Sequence, residues 1–241
     1  MLNVFEETPA RERVIVALDC GRDEALRLAD ALGGKAAWAK VGMTLFYAEG
    51  PAIVHALKER GLKVFLDLKF HDIPHQVEGA AHAAALSGAD MLTMHATGGV
   101  AMMEAARRGA ERAAAETGGV VPVTLGITVL TSMDAETLAA TGVARPLVEQ
   151  VEALAAQTRR AGISGVVASP HEAGRLRAAL GPDAYIVTPG VRPAGAEAGD
   201  QSRVATPAFA FGNGASHIVV GRPVTQAADP VAAFEAIAAE L

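Results

Sequence analysis

Val64-Phe65-Leu66-Asp67-Leu68-Lys69-Phe70-His71-Asp72-Ile73-Pro74 sets two opposite charges inside an apolar, β-prone run. Side chains alternate faces along a strand, so Asp67 and Lys69 are expected on one face with Cα atoms roughly 6.5–7 Å apart. If that face is buried, a carboxylate and an ammonium are held together out of bulk water. Desolvation can exceed the Coulombic gain of such a pair, which makes reaction machinery a better reading than a structural salt bridge. Asp72 lies three residues past Lys69, an odd offset that a continuing strand would send to the opposite face, so it belongs in a following loop. Pro74 supports that break, because proline restricts the residue before it and is favoured at the first position of a helix.

The same strand-then-helix unit recurs along the chain. Short β-branched runs at 14–19, 36–41, 63–69, 91–95, 120–128, 165–169, 184–188 and 217–222 read as strands. Between them, helices are expected at 23–32, 51–60, 75–87, 100–116, 146–161, 170–180, 206–211 and 230–240. Several open on proline or an acidic residue and end near glycine, as helix starts and stops should. Parallel strands need helical crossovers, and eight such units read as an α/β (β/α)8 TIM barrel. The expected organisation is an N-terminal extension over 1–12 and one barrel domain over 13–241. An open doubly wound sheet is the alternative, but Leu18-Asp19-Cys20-Gly21-Arg22 lacks the glycine-rich turn that such a sheet carries after its first strand. Residues 132–145 read as an inserted loop with a short helix at 135–140.

Composition bounds the function. Of 241 residues, 51% are hydrophobic and only 4% aromatic, so Ala, Val, Leu and Ile must fill the interior. That suits a parallel sheet under Ala-rich helices. A net charge of −6 argues against a nucleic-acid surface, which needs a basic patch. The single cysteine, Cys20, excludes an intramolecular disulfide framework and reads as a small buried residue of a reducing compartment. No run reaches the roughly 18 apolar residues of a membrane span, and residues 1–13 are too charged for a signal peptide. A cytoplasmic protein with no membrane partner is expected.

In such barrels chemistry gathers where strands end. Asp19, Lys40, Asp67, Lys69, His95, Thr128 or Thr131, Ser169, Arg192 and Arg222 all fall there. Asp19 could instead cap the next helix, Lys40 could serve a structural pair with Asp67, and His95 reads as a core histidine. His71 and His75 are four apart, but Pro74 puts His71 outside the helix, so they do not read as a metal site. The loops after strands 7 and 8 are the usual phosphate cradle of this architecture. Here they read Thr188-Pro189-Gly190-Val191-Arg192-Pro193 and Val220-Gly221-Arg222-Pro223, with glycine for close backbone approach and arginine for bidentate oxygen contacts. The small-residue stretch 194–201 is long enough to close over a ligand.

Together, Asp67-x-Lys69-x-x-Asp72-Ile73-Pro74, Val16-Ala17-Leu18-Asp19, Lys40-Val41-Gly42, Leu130-Thr131-Ser132, Thr188-Pro189-Gly190-Val191-Arg192 and Val219-Val220-Gly221-Arg222 resemble the orotidine 5′-phosphate decarboxylase family, in the family's order and from about Arg13 to the C-terminus. The resemblance implies a lyase that converts orotidine 5′-phosphate to UMP and CO2, the last step of de novo pyrimidine synthesis, with neither metal nor other cofactor. It implies that Asp19 and Lys40 contact the ribose and that Asp67, Lys69 and Lys40 form a charged network in which Lys69 donates the proton. By the same resemblance Thr131 meets the pyrimidine, and Arg192, Gln201, Gly221 and Arg222 hold the phosphate. Asp72, with the neighbouring substrate contact Ile73, is contributed across a homodimer interface. Two other readings compete. Mg²⁺-dependent 3-keto-L-gulonate 6-phosphate decarboxylases and hexulose-phosphate synthases share the aspartate–lysine signature, but carry a glutamate metal ligand where this chain has Lys40, and a lysine there opposes a divalent cation. The third reading is a non-catalytic phosphate-binding barrel.

Overall fold

The computed structural model describes residues 3–193 and 205–240. Its strands are β1 Val14–Ala17, β2 Trp38–Gly42, β3 Lys63–Phe70, β4 Met91–His95, β5 Val123–Ile127, β6 Gly165–Val167, β7 Tyr185–Thr188 and β8 His217–Val220. They pair in chain order, all parallel, and β8 returns to β1 to close the barrel. Around it run α1 Ala10–Arg13, α2 Arg22–Leu32, α3 Met43–Glu49, α4 Pro51–Lys58, α5 Pro74–Leu86 and α6 Val100–Thr117. The second half contributes α7 Ala135–Ala140, α8 Leu147–Arg160, α9 Ala173–Leu180, α10 Pro207–Gly212, α11 Arg222–Thr225 and α12 Pro230–Ala238.

Strand alternation sorts the apolar residues into two cores. Val14 and Val16 of β1 join a large cluster between the barrel and its helices. Ile15 and Ala17 point inward, where they meet Trp38, Phe65, Met91, Leu125, Val187 and Val219. Side chains two residues further along the same inward rows are Asp19, Lys40, Asp67 and Thr93, so the polar layer lies at the C-terminal mouth because the pleat has a period of two. At the opposite mouth the ring of Phe5 sits edge-on to Tyr185 at 4.8 Å and to His217 at 5.6 Å. Tyr185 stacks on His217 at 5.5 Å, and Asn3 Nδ2 donates to the Ala215 carbonyl at 3.3 Å.

Several expected boundaries shift. β5 begins at Val123 rather than 120, just past Pro122, which has no N–H to give to a ladder. β1, β6 and β8 stop at Ala17, Val167 and Val220, which leaves Asp19, Ser169 and Arg222 outside the strands proper. Helix α3 is an addition to the expected elements; Gly50, at φ 62°, separates it from the helix that Pro51 opens. The short α7 occupies 135–140 as expected, with the Asp134 side chain accepting from Thr137 N.

One irregularity bears on function. Leu66 pairs with Leu92 and Phe70 with Met94, so Asp67, Leu68 and Lys69 stand opposite Thr93 alone. Such bulges re-aim side chains and are common beside active sites.

Candidate active site at the C-terminal mouth

A cavity of about 600 Å³ opens at this mouth, lined by Asp19, Lys40, Asp67, Lys69, Thr131, Arg192, Gly221 and Arg222. Its floor is Ala17, Phe65 and Val219 from the inner barrel layer.

Four charges run across it in alternating sign. Lys40 Nζ lies 2.9 Å from Asp19 Oδ1 and 3.8 Å from Asp67 Oδ2, and Lys69 Nζ lies 2.8 Å from that same Asp67 oxygen. Asp19 therefore serves the ion pair and does not cap α2, whose first turn is preceded by Gly21 with no side-chain cap. Gly42 packs closely under the pair: a Cβ there would sit 3.0 Å from Asp19 Oδ1 and 3.2 Å from Lys40 Nζ, so both side chains would have to give by a few tenths of an ångström.

Asp67 and Lys69 meet as expected, but regular alternation is not how they do so. Lys69 has φ 55°, and among the described residues it is the one non-glycine with positive φ. That conformation costs a side-chain-bearing residue about 1–2 kcal/mol, and strain of this kind concentrates at functional sites. Thr93 supports the kink. Its hydroxyl accepts from Lys69 N at 2.9 Å and donates to Asp67 Oδ1 at 2.9 Å.

Electrostatics favour an ionised Asp67. Burial alone would raise its pKa, but the ammoniums of Lys40 and Lys69, with hydrogen bonds from Lys69 and Thr93, outweigh burial and hold it below the usual carboxylate value. Burial lowers the pKa of His95, and His71 and Lys69 add to the effect. The His95 and His71 rings lie 5.2 Å apart. Among the described residues no group of three or more His, Cys, Asp or Glu side chains is arranged to hold a metal ion.

Across the cavity, Gly190 turns the chain at φ 76°, and a parallel bridge ties Val191 to Ala205. Arg192 N donates to the Ala205 carbonyl at 2.9 Å, and Arg192 Nη1 to the Val191 carbonyl, also at 2.9 Å. Gly221 and Arg222 open α11 on the same wall. One side of the cavity thus presents two guanidiniums, while Ile127, Val129, Leu130, Val167 and Ala168 give it an apolar flank. This arrangement can seat an anion at one end, a flat apolar group along the flank and a reacting carbon beside Lys69.

Not every expected residue converges. Asp72 and Ile73 are exposed and do not line their own chain's cavity. Asp72 Oδ1 instead accepts from Ile73 N at 2.6 Å, which sets the loop entering Pro74. Gln201, with the stretch 194–201, lies outside the described residues. Cys20, expected to be buried, is half-buried and lines the cavity, because β1 ends before it. Thr128 donates to the Val167 carbonyl and leaves the cavity to Thr131. Sequence reasoning missed Thr93, whose only signal is a hydroxyl on the inward row of an apolar strand. It also missed Gln226 and the apolar flank, because apolar residues at strand ends look like core.

Comparison with known proteins places nearly the whole chain in a family. Residues 12–237 match the Orotidine 5′-phosphate decarboxylase / HUMPS family. The chain is 52% identical to an orotidine 5′-phosphate decarboxylase of Moorella thermoacetica over 96% of its own length and 93% of the relative's. It is 53% identical to one from Anaeromyxobacter sp. (strain K) over 95% and 98%. The crystal structure of orotidine 5′-phosphate decarboxylase from Lactobacillus acidophilus superposes with a TM-score of 0.85 at 40% identity, covering 95% of this chain and 98% of that one. On sequence and on fold, this chain belongs to the Orotidine 5′-phosphate decarboxylase / HUMPS family.

Proposed function

We propose that this chain decarboxylates orotidine 5′-phosphate to UMP and CO2, the closing step of de novo pyrimidine nucleotide synthesis. The observation that carries this reading is the Asp19–Lys40–Asp67–Lys69 row at the cavity mouth. Breaking the bond from C6 to its carboxylate leaves the electron pair on C6, in the ring plane, where no carbonyl delocalises it directly. Fixed charge must stabilise it, and preorganised charge is often the largest catalytic contribution. The Lys69 ammonium faces the developing carbanion, then transfers its proton to C6 and is reprotonated from solvent. Ionised Asp67 repels the substrate carboxylate, a repulsion relieved as CO2 departs.

Asp19 and Lys40 hold the ribose, Thr131 the pyrimidine, and Arg192, Gly221 and Arg222 the phosphate. Phosphate contacts remote from C6 supply binding energy that positions the reacting end. The exposure of Asp72 and Ile73, outside their own cavity, supports a homodimer in which each reaches the partner's site.

The family also includes sugar-phosphate enzymes that stabilise an enediolate on Mg²⁺. Lys40 argues against that chemistry here, since its ammonium lies within 4 Å of both Asp19 and Asp67 and opposes a divalent cation between them. Loss of orotidylate absorbance, with and without exhaustive chelation, tests the reading. Full turnover in chelator is expected. Activity lost to chelation and restored by Mg²⁺ would favour the sugar-phosphate chemistry, and nucleotide binding without turnover would favour a phosphate-binding barrel.

A further inference from the structure

We propose that Thr93 is a positioning residue of this site, one hydroxyl that both orients the Asp67 carboxylate and holds the kinked backbone carrying the Lys69 ammonium. The inference rests on the decarboxylation reading. Between the Leu66–Leu92 and Phe70–Met94 pairs, Thr93 is the only β4 residue facing Asp67, Leu68 and Lys69. The ladder is interrupted there, so Lys69 N–H must find another acceptor or remain buried and unpaired, at a cost of about 1–3 kcal/mol. Lys69 also sits at φ 55°, which nothing in its own sequence favours.

The hydrogen-bond chemistry leaves one arrangement. A carboxylate only accepts and an amide N–H only donates. The Thr93 proton therefore goes to Asp67 Oδ1 and its lone pair to Lys69 N, both at 2.9 Å. This assigns the two carboxylate oxygens: Oδ1 to the hydroxyl, and Oδ2 to the Lys69 ammonium at 2.8 Å, with Lys40 at 3.8 Å. Thr93 is fully buried and lies on the inward row above Met91, so no side-chain rotation into solvent can relax the arrangement. Without the hydroxyl, Asp67 can turn about its last torsion and Lys69 can return to an ordinary backbone conformation. Either movement takes the ammonium off its line to the reacting carbon.

Thr93→Val keeps the shape and deletes the hydroxyl, whereas Thr93→Ser keeps the hydroxyl. In the full-length protein, Thr93→Val should lower kcat about 10–100-fold, the scale of losing hydrogen bonds to charged groups, with KM changed less than about threefold. The acidic limb of its kcat/KM profile should move to higher pH, because a bond favouring ionised Asp67 is gone. Thr93→Ser should stay within about threefold of the parent. In the absence of substrate, amide hydrogen exchange at Lys69 should quicken at least about tenfold in Thr93→Val and little in Thr93→Ser. If Thr93→Val does not fold, Thr93→Ala takes its place in the same comparison. Parent-like kcat, acidic limb and exchange in the hydroxyl-free variant would overturn the proposal, as would a Thr93→Ser variant equally impaired. Failure of the parent to turn over orotidylate would sink the decarboxylation reading, while the exchange contrast tests the positioning of Lys69 without substrate.

Discussion

The two mouths of one barrel bury titratable groups by opposite means. At the C-terminal mouth Asp67 is 8% exposed and stays ionised, because two ammoniums and a hydroxyl compensate for lost water. At the N-terminal mouth His217 is 4% exposed among Phe5, Tyr185 and Trp38, and stays neutral. Burial pushes its pKa down to about 3, with Arg13 and Lys63 adding to the shift. The same strands supply both ends, so the architecture does not decide the outcome. What differs is the next shell. The C-terminal mouth surrounds its charge with opposite charge and opens on a cavity, and the other fills its opening with rings. The first arrangement should govern rate and the second stability, a division that substitutions can test.

The largest expected effect is on rate. Lys69→Ala should lower kcat by at least about 10³-fold, since on the proposed mechanism it removes both the fixed charge and the proton donor, while UMP binding remains measurable and the melting temperature moves by only a few degrees. Near-normal turnover would remove Lys69 from the chemistry. The same variant tests the shared site when co-expressed with Asp72→Ala. Random pairing makes about half the dimers mixed, and each mixed dimer has one intact site, so roughly a quarter of the sites should recover. A verified mixture no more active than its parents would place both residues in one chain's site.

Phe5→Ala probes the other mouth. Truncating a buried phenylalanine costs about 3 kcal/mol, or roughly 6–12 °C in melting temperature for a chain of this size. Turnover measured well below the transition should stay within about threefold. A comparable loss of kcat without loss of stability would mean that the two ends are coupled.

Arg222→Ala sharpens the first mouth. It should reduce kcat/KM for orotidylate about 10–100-fold, the worth of a charge-assisted contact, with little loss on a truncated substrate lacking phosphate. Equal losses on both substrates would show that Arg222 does not act through the phosphate.

The smallest effect concerns pH. His217 has a folded pKa of about 3 against an ordinary 6.5. Above 6.5 it is neutral in both states and its contribution is constant. As pH falls below 6.5 the unfolded chain takes up the proton and the fold does not, so stability declines by about 1.4 kcal/mol per pH unit until near the folded value. Urea unfolding between pH 6 and 4.5 should therefore show a shallower decline in His217→Gln than in the parent. Parallel slopes would mean that His217 is not held neutral by its surroundings. Asp67 shifts in the same direction over a lower range, since its stabilisation is lost only as pH falls through a value below 3.8.

Much of this was legible in the chain. A period of two in the strands, Ala-rich helices opened by proline and charges at strand ends are all local patterns, and they were enough to point to the barrel and to most of the charged residues of the cavity. Asp67 and Lys69 could be read as a pair because an ionisable residue inside an apolar run is costly wherever it occurs, whereas Asp19 and Lys40 joined them only through their strand-end positions and the family resemblance. The loop position of Asp72 was legible from its odd offset and from Pro74. Only the tertiary structure decided that Lys69 turns through a positive φ, that three residues of β3 face one of β4, and that Thr93, 26 residues from Asp67, takes both hydrogen bonds. It likewise decided that Phe5 meets Tyr185 and His217 at the far mouth. A sequence records each residue's chemistry and its neighbours along the chain. Which hydroxyl or ring completes a buried shell depends on strand register and barrel closure, and those depend on the packing of the whole sheet.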